Sequence, residues 1–144
     1  MHNWFQCKVK YERNVDDGSI AKVSESYLID ALSFTEAEER INEEMKPYIS
    51  GDFLVTDIKR AKINELFENE SGDRWYRCKV NFISLDEEKG VEKRIAITMF
   101  AQASTLKEAV EVVDKGMKGT LADYDIASVV ETDIMDIFKY SVES

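Results

Sequence analysis

The sequence predicts an α+β fold: a tandem duplication of a β-β-α-β unit, giving a mostly antiparallel six-stranded sheet with two helices and pseudo-two-fold symmetry. Three observations carry this reading. Trp4-Phe5-Gln6-Cys7-Lys8-Val9 returns as Trp75-Tyr76-Arg77-Cys78-Lys79-Val80. The echo continues, with one-residue adjustments, through Lys22/Arg94, Ala31/Ala103, Glu36-Ala37/Glu108-Ala109, Met45/Met117, Asp52/Asp123, Ile63/Ile134 and Phe67/Phe138. Within each half, period-two alternation gives way at the same place to a helical stripe. The first repeat spans residues 4–67 and the second 75–138, and the 144 residues suit one domain in which two marginal units share a core.

The first strand, residues 4–12, alternates apolar residues with Gln6, Lys8 and Lys10. Asp16-Asp17-Gly18 is the turn, because glycine supplies the positive φ of a tight hairpin. Residues 20–31 return as the second strand. Ser33-Phe34-Thr35-Glu36 then reads as a capping box, with the hydroxyl accepting from the third helical amide and the glutamate bonding back. Ala37, Ile41 and Met45 form the buried stripe, and Pro47 with Gly51 closes the helix. A long strand near residues 53–67 ends the unit, placed beside the first by a right-handed crossover.

The second half repeats this plan. A strand over residues 75–84 turns near Glu88-Lys89-Gly90 and returns as Arg94 to Phe100, apolar on both faces and so expected to be central or covered. Thr105-Leu106-Lys107-Glu108 is the second capping box, followed by Ala109, Val113 and Met117, with Gly116 to Gly119 loosening the helix end. A bulge or bend interrupts the last strand, near residues 124–138. The tail from Lys139 is expected to fray.

Nineteen basic against 29 acidic residues leave a net charge of -10. It is spread as -6 over residues 1–72 (9 basic, 15 acidic) and -4 over 73–144 (10 basic, 14 acidic). That sign disfavours generic nucleic-acid coating, which relies on Lys and Arg to neutralise phosphates. No stretch has the apolar length of a membrane span and the N-terminus lacks a signal-peptide pattern, so a cytoplasmic protein is expected. Cys7 and Cys78 fall on the inward face of their strands and read as small buried hydrophobes; a disulfide between them is the alternative, which a cytosolic setting disfavours.

No catalytic residue can be assigned. The only histidine is His2, so a histidine-based triad is excluded, and the two cysteines are too far apart in sequence for a zinc site. Neither GxxxxGK nor GxGxxG occurs. No cofactor or metal is implied. Asp52/Asp123 and Glu65/Asp136 are repeat-matched carboxylates, read chiefly as turn, helix-end or solvated strand residues. The acidic run Glu36 to Glu44 reads as a solvated helix face.

The outward face of the first strands is the most suggestive surface. Alternation turns Trp4, Gln6, Lys8 and Lys10 out in one half and Trp75, Arg77, Lys79 and Asn81 in the other. An indole beside a cation on an open sheet stacks on a base while the cation meets phosphate. The candidate ligand-binding residues are therefore Trp4, Lys8, Lys10, Trp75, Arg77 and Lys79, as two pockets or one strip. The bland reading is that each Trp covers the sheet edge under draped Lys stems.

Residues 3–12, Tyr27 to Glu36, Pro47 to Arg60, Ser71-Gly72-Asp73-Arg74, and Lys118-Gly119-Thr120 through Phe138 resemble a family of domains of unknown function from anaerobic gut bacteria, their phages and mobile elements. The resemblance implies a context of small cytoplasmic, often phage-linked proteins, a class rich in inhibitors of host defence and replication accessories. It transfers no site residue. The resulting expectation is a non-enzymatic binding module, phage-encoded, that captures a host protein or a nucleotide-like ligand; a homodimer is compatible with the two-fold repeat. The alternatives are a single-stranded nucleic-acid binder using the Trp/Lys face, and a hydrolase or transferase using carboxylates and a divalent metal.

Overall fold

The computed structural model describes residues 3–139, so His2 and the tail from 140 onward lie outside the described residues. In chain order the elements are β1 (Trp4–Asn14), β2 (Ile20–Asp30), α1 (Phe34–Met45), β3 (Phe53–Ala61), β4 (Glu65–Phe67), β5 (Arg74–Asp86), β6 (Val91–Ala103), α2 (Leu106–Gly116), β7 (Asp123–Glu131) and β8 (Ile134–Phe138). They form two compact units, one made of residues 1–61 with 133–144, the other of residues 62–132.

In unit 1 the strand order is β3-β1-β2-β8. The β1–β2 hairpin turns at Gly18, whose φ of 83° suits a residue without a β-carbon. Antiparallel pairing sets Trp4 opposite Asp30 and Glu12 opposite Lys22. β3 lies antiparallel on the other side of β1, with a register shift at Lys8/Val9. β8 joins the far edge in parallel, Tyr27 opposite Asp136 and Ile29 opposite Phe138. α1 covers one sheet face: Ala37, Ile41 and Met45 are fully buried against Phe5, Cys7 and Ile29.

Unit 2 has the order β4-β6-β5-β7. β5 and β6 pair over 13 residues each, and β7 lies antiparallel to β5 with its shift at Lys79/Val80. β4 adds in parallel to β6, Leu66 opposite Phe100. α2 buries Ala109 and Val113 against Tyr76, Cys78 and Met99.

Both helices start as the sequence predicts. Ser33 Oγ and Thr105 Oγ1 accept from the amides of Glu36 and Glu108, each at 3.1 Å. The glutamates reach one residue further back than a capping box requires, accepting from Leu32 and Ser104 N–H. The cysteines are both free and buried.

The sheet prediction needs correction: there is no single six-stranded antiparallel sheet but two mixed four-stranded ones. The reason lies in the last strand of each half. Residues 53–67 split into β3 and β4, and 123–138 into β7 and β8. After the break each short piece pairs in parallel with a strand of the other half, β4 with β6 and β8 with β2. The gain is the burial of Ile134 on unit 1 and the packing of Phe67 in the core of unit 2. β6 is interior as expected, though Arg94, Ile95 and Ala96 near the hairpin end are exposed. Among the described residues no helix is long and apolar enough to cross a membrane.

Candidate functional site

Strand pairing fixes which side chains share the face of each sheet opposite its helix. In unit 1 this face carries Trp4, Gln6, Lys8, Lys10 and Glu12 from β1, with Asp30, Leu28, Ser26, Ser24 and Lys22 opposite them on β2. β3 contributes Ala61, Lys59, Asp57 and Leu54. The face divides along its length. At one end Trp4, Leu28, Ser26 and Asp30 are buried, and toward the hairpin tip Lys8, Lys10, Glu12, Lys22 and Ser24 are exposed.

Trp4 and Trp75 therefore stand on the expected face without being open to a ligand: they are 5% and 4% exposed. Alternation assigns a face correctly but says nothing about what covers it. An exposed indole beside a cation is thus not formed in either unit. Trp75 lies opposite Gln102, and its carbonyl accepts from both the amide and the hydroxyl of Thr132.

The remaining sequence candidates are exposed. Lys8 lies between Ser26 and Asp57, and Lys10 between Ser24 and Leu54. In unit 2 Arg77 sits over the Phe100 ring at 5.5 Å, and Lys79 lies between Thr98 and Ser128. Lys8 and Lys10 share one sheet, Arg77 and Lys79 the other.

A cavity of about 660 Å³ opens at the tip end of unit 1, lined by Lys10, Tyr11, Glu12, Lys22, Asp52 and Leu54 among others. Its size falls within the roughly 300–1,000 Å³ of small-molecule sites. The strands supply the walls, and the loop before β3 supplies Ser50, Gly51 and Asp52. Gly51 has φ 107°, a conformation that L side chains rarely adopt, and the space where its β-carbon would stand is open. Among the described residues Lys8, Lys10, Lys22 and Lys59 are in no ion pair, although the chain carries net negative charge.

Tyr11 is held from below. Its hydroxyl donates to Glu25 Oε1 at 2.6 Å, and Tyr27 donates to the same oxygen at 3.3 Å. That hydrogen bond, then burial, then the negative charge of Glu25 push the Tyr11 phenol above its ordinary value, with Arg13 opposing. The ring therefore stays neutral at ordinary pH, packed on the helix side of the sheet against the core, and only its stretch of β1 borders the cavity.

Lys22, Glu12, Asp52 and Leu54 were not singled out as ligand contacts from the sequence. The signal for Lys22 was present: a hairpin centred on Asp17 puts it across from Glu12, two residues along the same face from Lys10. Leu54 belongs to a strand whose register is shifted by the bulge, which no local pattern reveals.

The other carboxylate candidates lie apart in their surroundings. Asp52 lines the unit 1 cavity, Asp123 begins β7 opposite Ile83, Glu65 begins β4 opposite Met99, and Asp136 on β8 accepts from the amide of Ile137. Among the described residues no three His, Cys, Asp or Glu side chains are grouped to hold a metal ion. A second hollow, about 520 Å³, lies in unit 2 along Phe67, Glu68, Glu108 and Glu111. Glu108 is engaged there with the amide of Ser104 and the side chain of Asn69.

No curated protein and no solved structure matches the chain significantly. One family does, over residues 3–140, nearly the full length. The chain belongs to the domain of unknown function family DUF4494.

Proposed function

We propose that the protein is a non-enzymatic binding module that captures a nucleotide-like ligand in the cavity of unit 1. The observation that carries this reading is the pairing of two exposed, unpaired lysines with two carboxylates and an apolar wall around one cavity of suitable size. Lys10 and Lys22 suit a phosphate, as charge-assisted donors. Glu12 and Asp52 suit ligand hydroxyl or amino donors, and Leu54, on the same face as Lys10, offers apolar surface to a base. A bare anion would leave the two carboxylates repelling it. A ligand carrying both an anion and hydroxyl donors uses all four.

The matched strand order and matched register shifts of the two sheets support the view that the halves arose by duplication. In the phage and mobile-element setting that the resemblance implies, a captor without turnover would act by sequestering its ligand. The covered indoles weigh against the single-stranded nucleic-acid alternative, which needs an open stacking platform.

The test is a thermal-shift and equilibrium-dialysis panel of nucleoside mono-, di- and triphosphates at low salt, followed by analysis of the recovered ligand. Binding that stabilises the fold and returns the ligand intact is expected. Lys10→Ala and Lys22→Ala should each weaken it about tenfold or more, with circular dichroism unchanged. Phosphate release, or no binding across the panel, would overturn the reading.

A further inference from the structure

We infer that the chain carries one such ligand site, not two, because unit 2 fills the corresponding positions with side chains that neutralise each other. This rests on the reading above and deepens it by assigning stoichiometry and roles.

Strand register makes the comparison direct. Lys10 lies between Ser24 and Leu54 in unit 1. The position with the same partners' places in unit 2 is Asn81, between Ala96 and Asp125. Glu12 faces Lys22 in unit 1, and Ile83 faces Arg94 in unit 2. The first lysine is thus an amide, the apolar leucine is a carboxylate, and the acid of the cross-strand pair is an isoleucine.

At these matched positions the one cation that remains, Arg94, is already engaged. Arg94 Nη1 lies 3.4 Å from Asp125 and Nη2 lies 3.6 Å from Glu92. Lys22, its counterpart, has no such partner among the described residues. A phosphate approaching unit 2 meets a guanidinium held between two carboxylates. In unit 1 it meets two ammonium groups on neighbouring strands with rotamer freedom to converge on it.

The loops differ in the same sense. Ser50-Gly51 precedes Asp52 in unit 1, and Leu121-Ala122 precedes Asp123 in unit 2. Gly51 leaves its backbone open on the cavity side, where a phosphate can approach an amide closely.

The experiment is calorimetry and two-dimensional amide NMR on the full chain at low salt, with adenosine diphosphate and inorganic pyrophosphate as the probes. One adenosine diphosphate per chain is expected, with amide shifts at residues 10–12, 22–24 and 50–54. Pyrophosphate should bind at least about tenfold more weakly, lacking the groups that Glu12, Asp52 and Leu54 serve. Arg94→Ala should leave affinity unchanged, and Asn81→Lys combined with Asp125→Leu should raise the stoichiometry toward two. Two sites in the unaltered chain, or shifts centred on residues 81–83, 94–96 and 123–125, would overturn the single-site assignment while leaving binding itself intact. Equal affinity for pyrophosphate would overturn the roles given to the carboxylates and Leu54. Silence toward both probes, with no amide shift anywhere, would instead sink the binding reading on which this inference stands.

Discussion

A β-carbon added at Gly72 would stand 2.5 Å from the α-carbon and the amide nitrogen of Ala103, and backbone cannot swing aside as a side chain can. The approach is held by polar bonds: Gln102 Nε2 donates to the Gly72 carbonyl at 3.1 Å and Ser104 Oγ to that of Ser71 at 3.0 Å. Gly72→Ala should therefore cost about 1–3 kcal/mol by overpacking, read as a fall in the denaturation midpoint at constant m. A β-carbon at Gly116 would run into the Phe67 ring instead. There Gly116→Ala should be destabilising alone and largely rescued by Phe67→Leu, a non-additivity that a double-mutant cycle measures. The buried thiols give a pH signature. Burial first, and the Asp57 charge second, push Cys7 up to about 12, and burial pushes Cys78 up to about 11. The folded chain keeps these protons where the unfolded chain releases them above its ordinary value near 9. Their contribution is whole below that pH and is lost as pH rises through the folded values. Cys7→Ala with Cys78→Ala should flatten the fall of stability between about pH 9 and 11; an unchanged slope would show that the thiols are not its source.

At the scale of elements, β8 is the strand whose sequence position and structural role diverge most. It lies near the C-terminal end of the chain and completes the sheet of the N-terminal unit. Ile134 is buried there, Phe138 stacks on Tyr27 with centroids 5.9 Å apart, and Arg40 Nη2 donates to the Lys139 carbonyl at 3.0 Å. Ending the chain after Thr132 should accordingly raise amide exchange in β1 and β2 while β5 and β6 keep their protection. Faster exchange confined to residues 62–132 would contradict the assignment. Little in the sequence announces this exchange of strands. Hairpins, caps and helical stripes are local patterns: Gly18, Ser33, Thr105 and the Ala37-Ile41-Met45 stripe could be read off directly. The breaks after Ala61 and Glu131 carry no Pro or Gly, so each long strand reads as one. Asn64 is the discreet marker, since its amide donates to the Thr98 carbonyl at 2.8 Å and its side chain accepts from Thr98 N–H at 3.0 Å. A three-residue parallel strand such as β4 has no periodicity long enough to register. The candidate site was half legible for a related reason: Lys10 follows from alternation, whereas Leu54 and Asp52 arrive through a bulge and a loop.

For the molecule as a whole, the chain enters unit 2 after residue 61 and leaves it after residue 132, so unit 2 is continuous and unit 1 is not. This asymmetry distinguishes two units with the same strand order. A fragment of residues 62–132 holds all four strands of its sheet, its helix and the cluster of Tyr76, Cys78, Met99 and Val113. A fragment of residues 1–61 lacks β8, and with it Ile134 and Phe138. At this length a domain buries only about 60% of the surface its unfolded chain exposes, so losing one strand is decisive. The 62–132 fragment should fold alone, with dispersed amide resonances and a cooperative melt. The 1–61 fragment should remain loose until a peptide of residues 133–144 is added, which should restore cooperativity in proportion to its concentration. If the shorter fragment folds unaided, β8 is an ornament on the sheet of unit 1; if the peptide rescues it, the C-terminal strand is the piece that lets the sheet of unit 1, and the cavity at its tip, form.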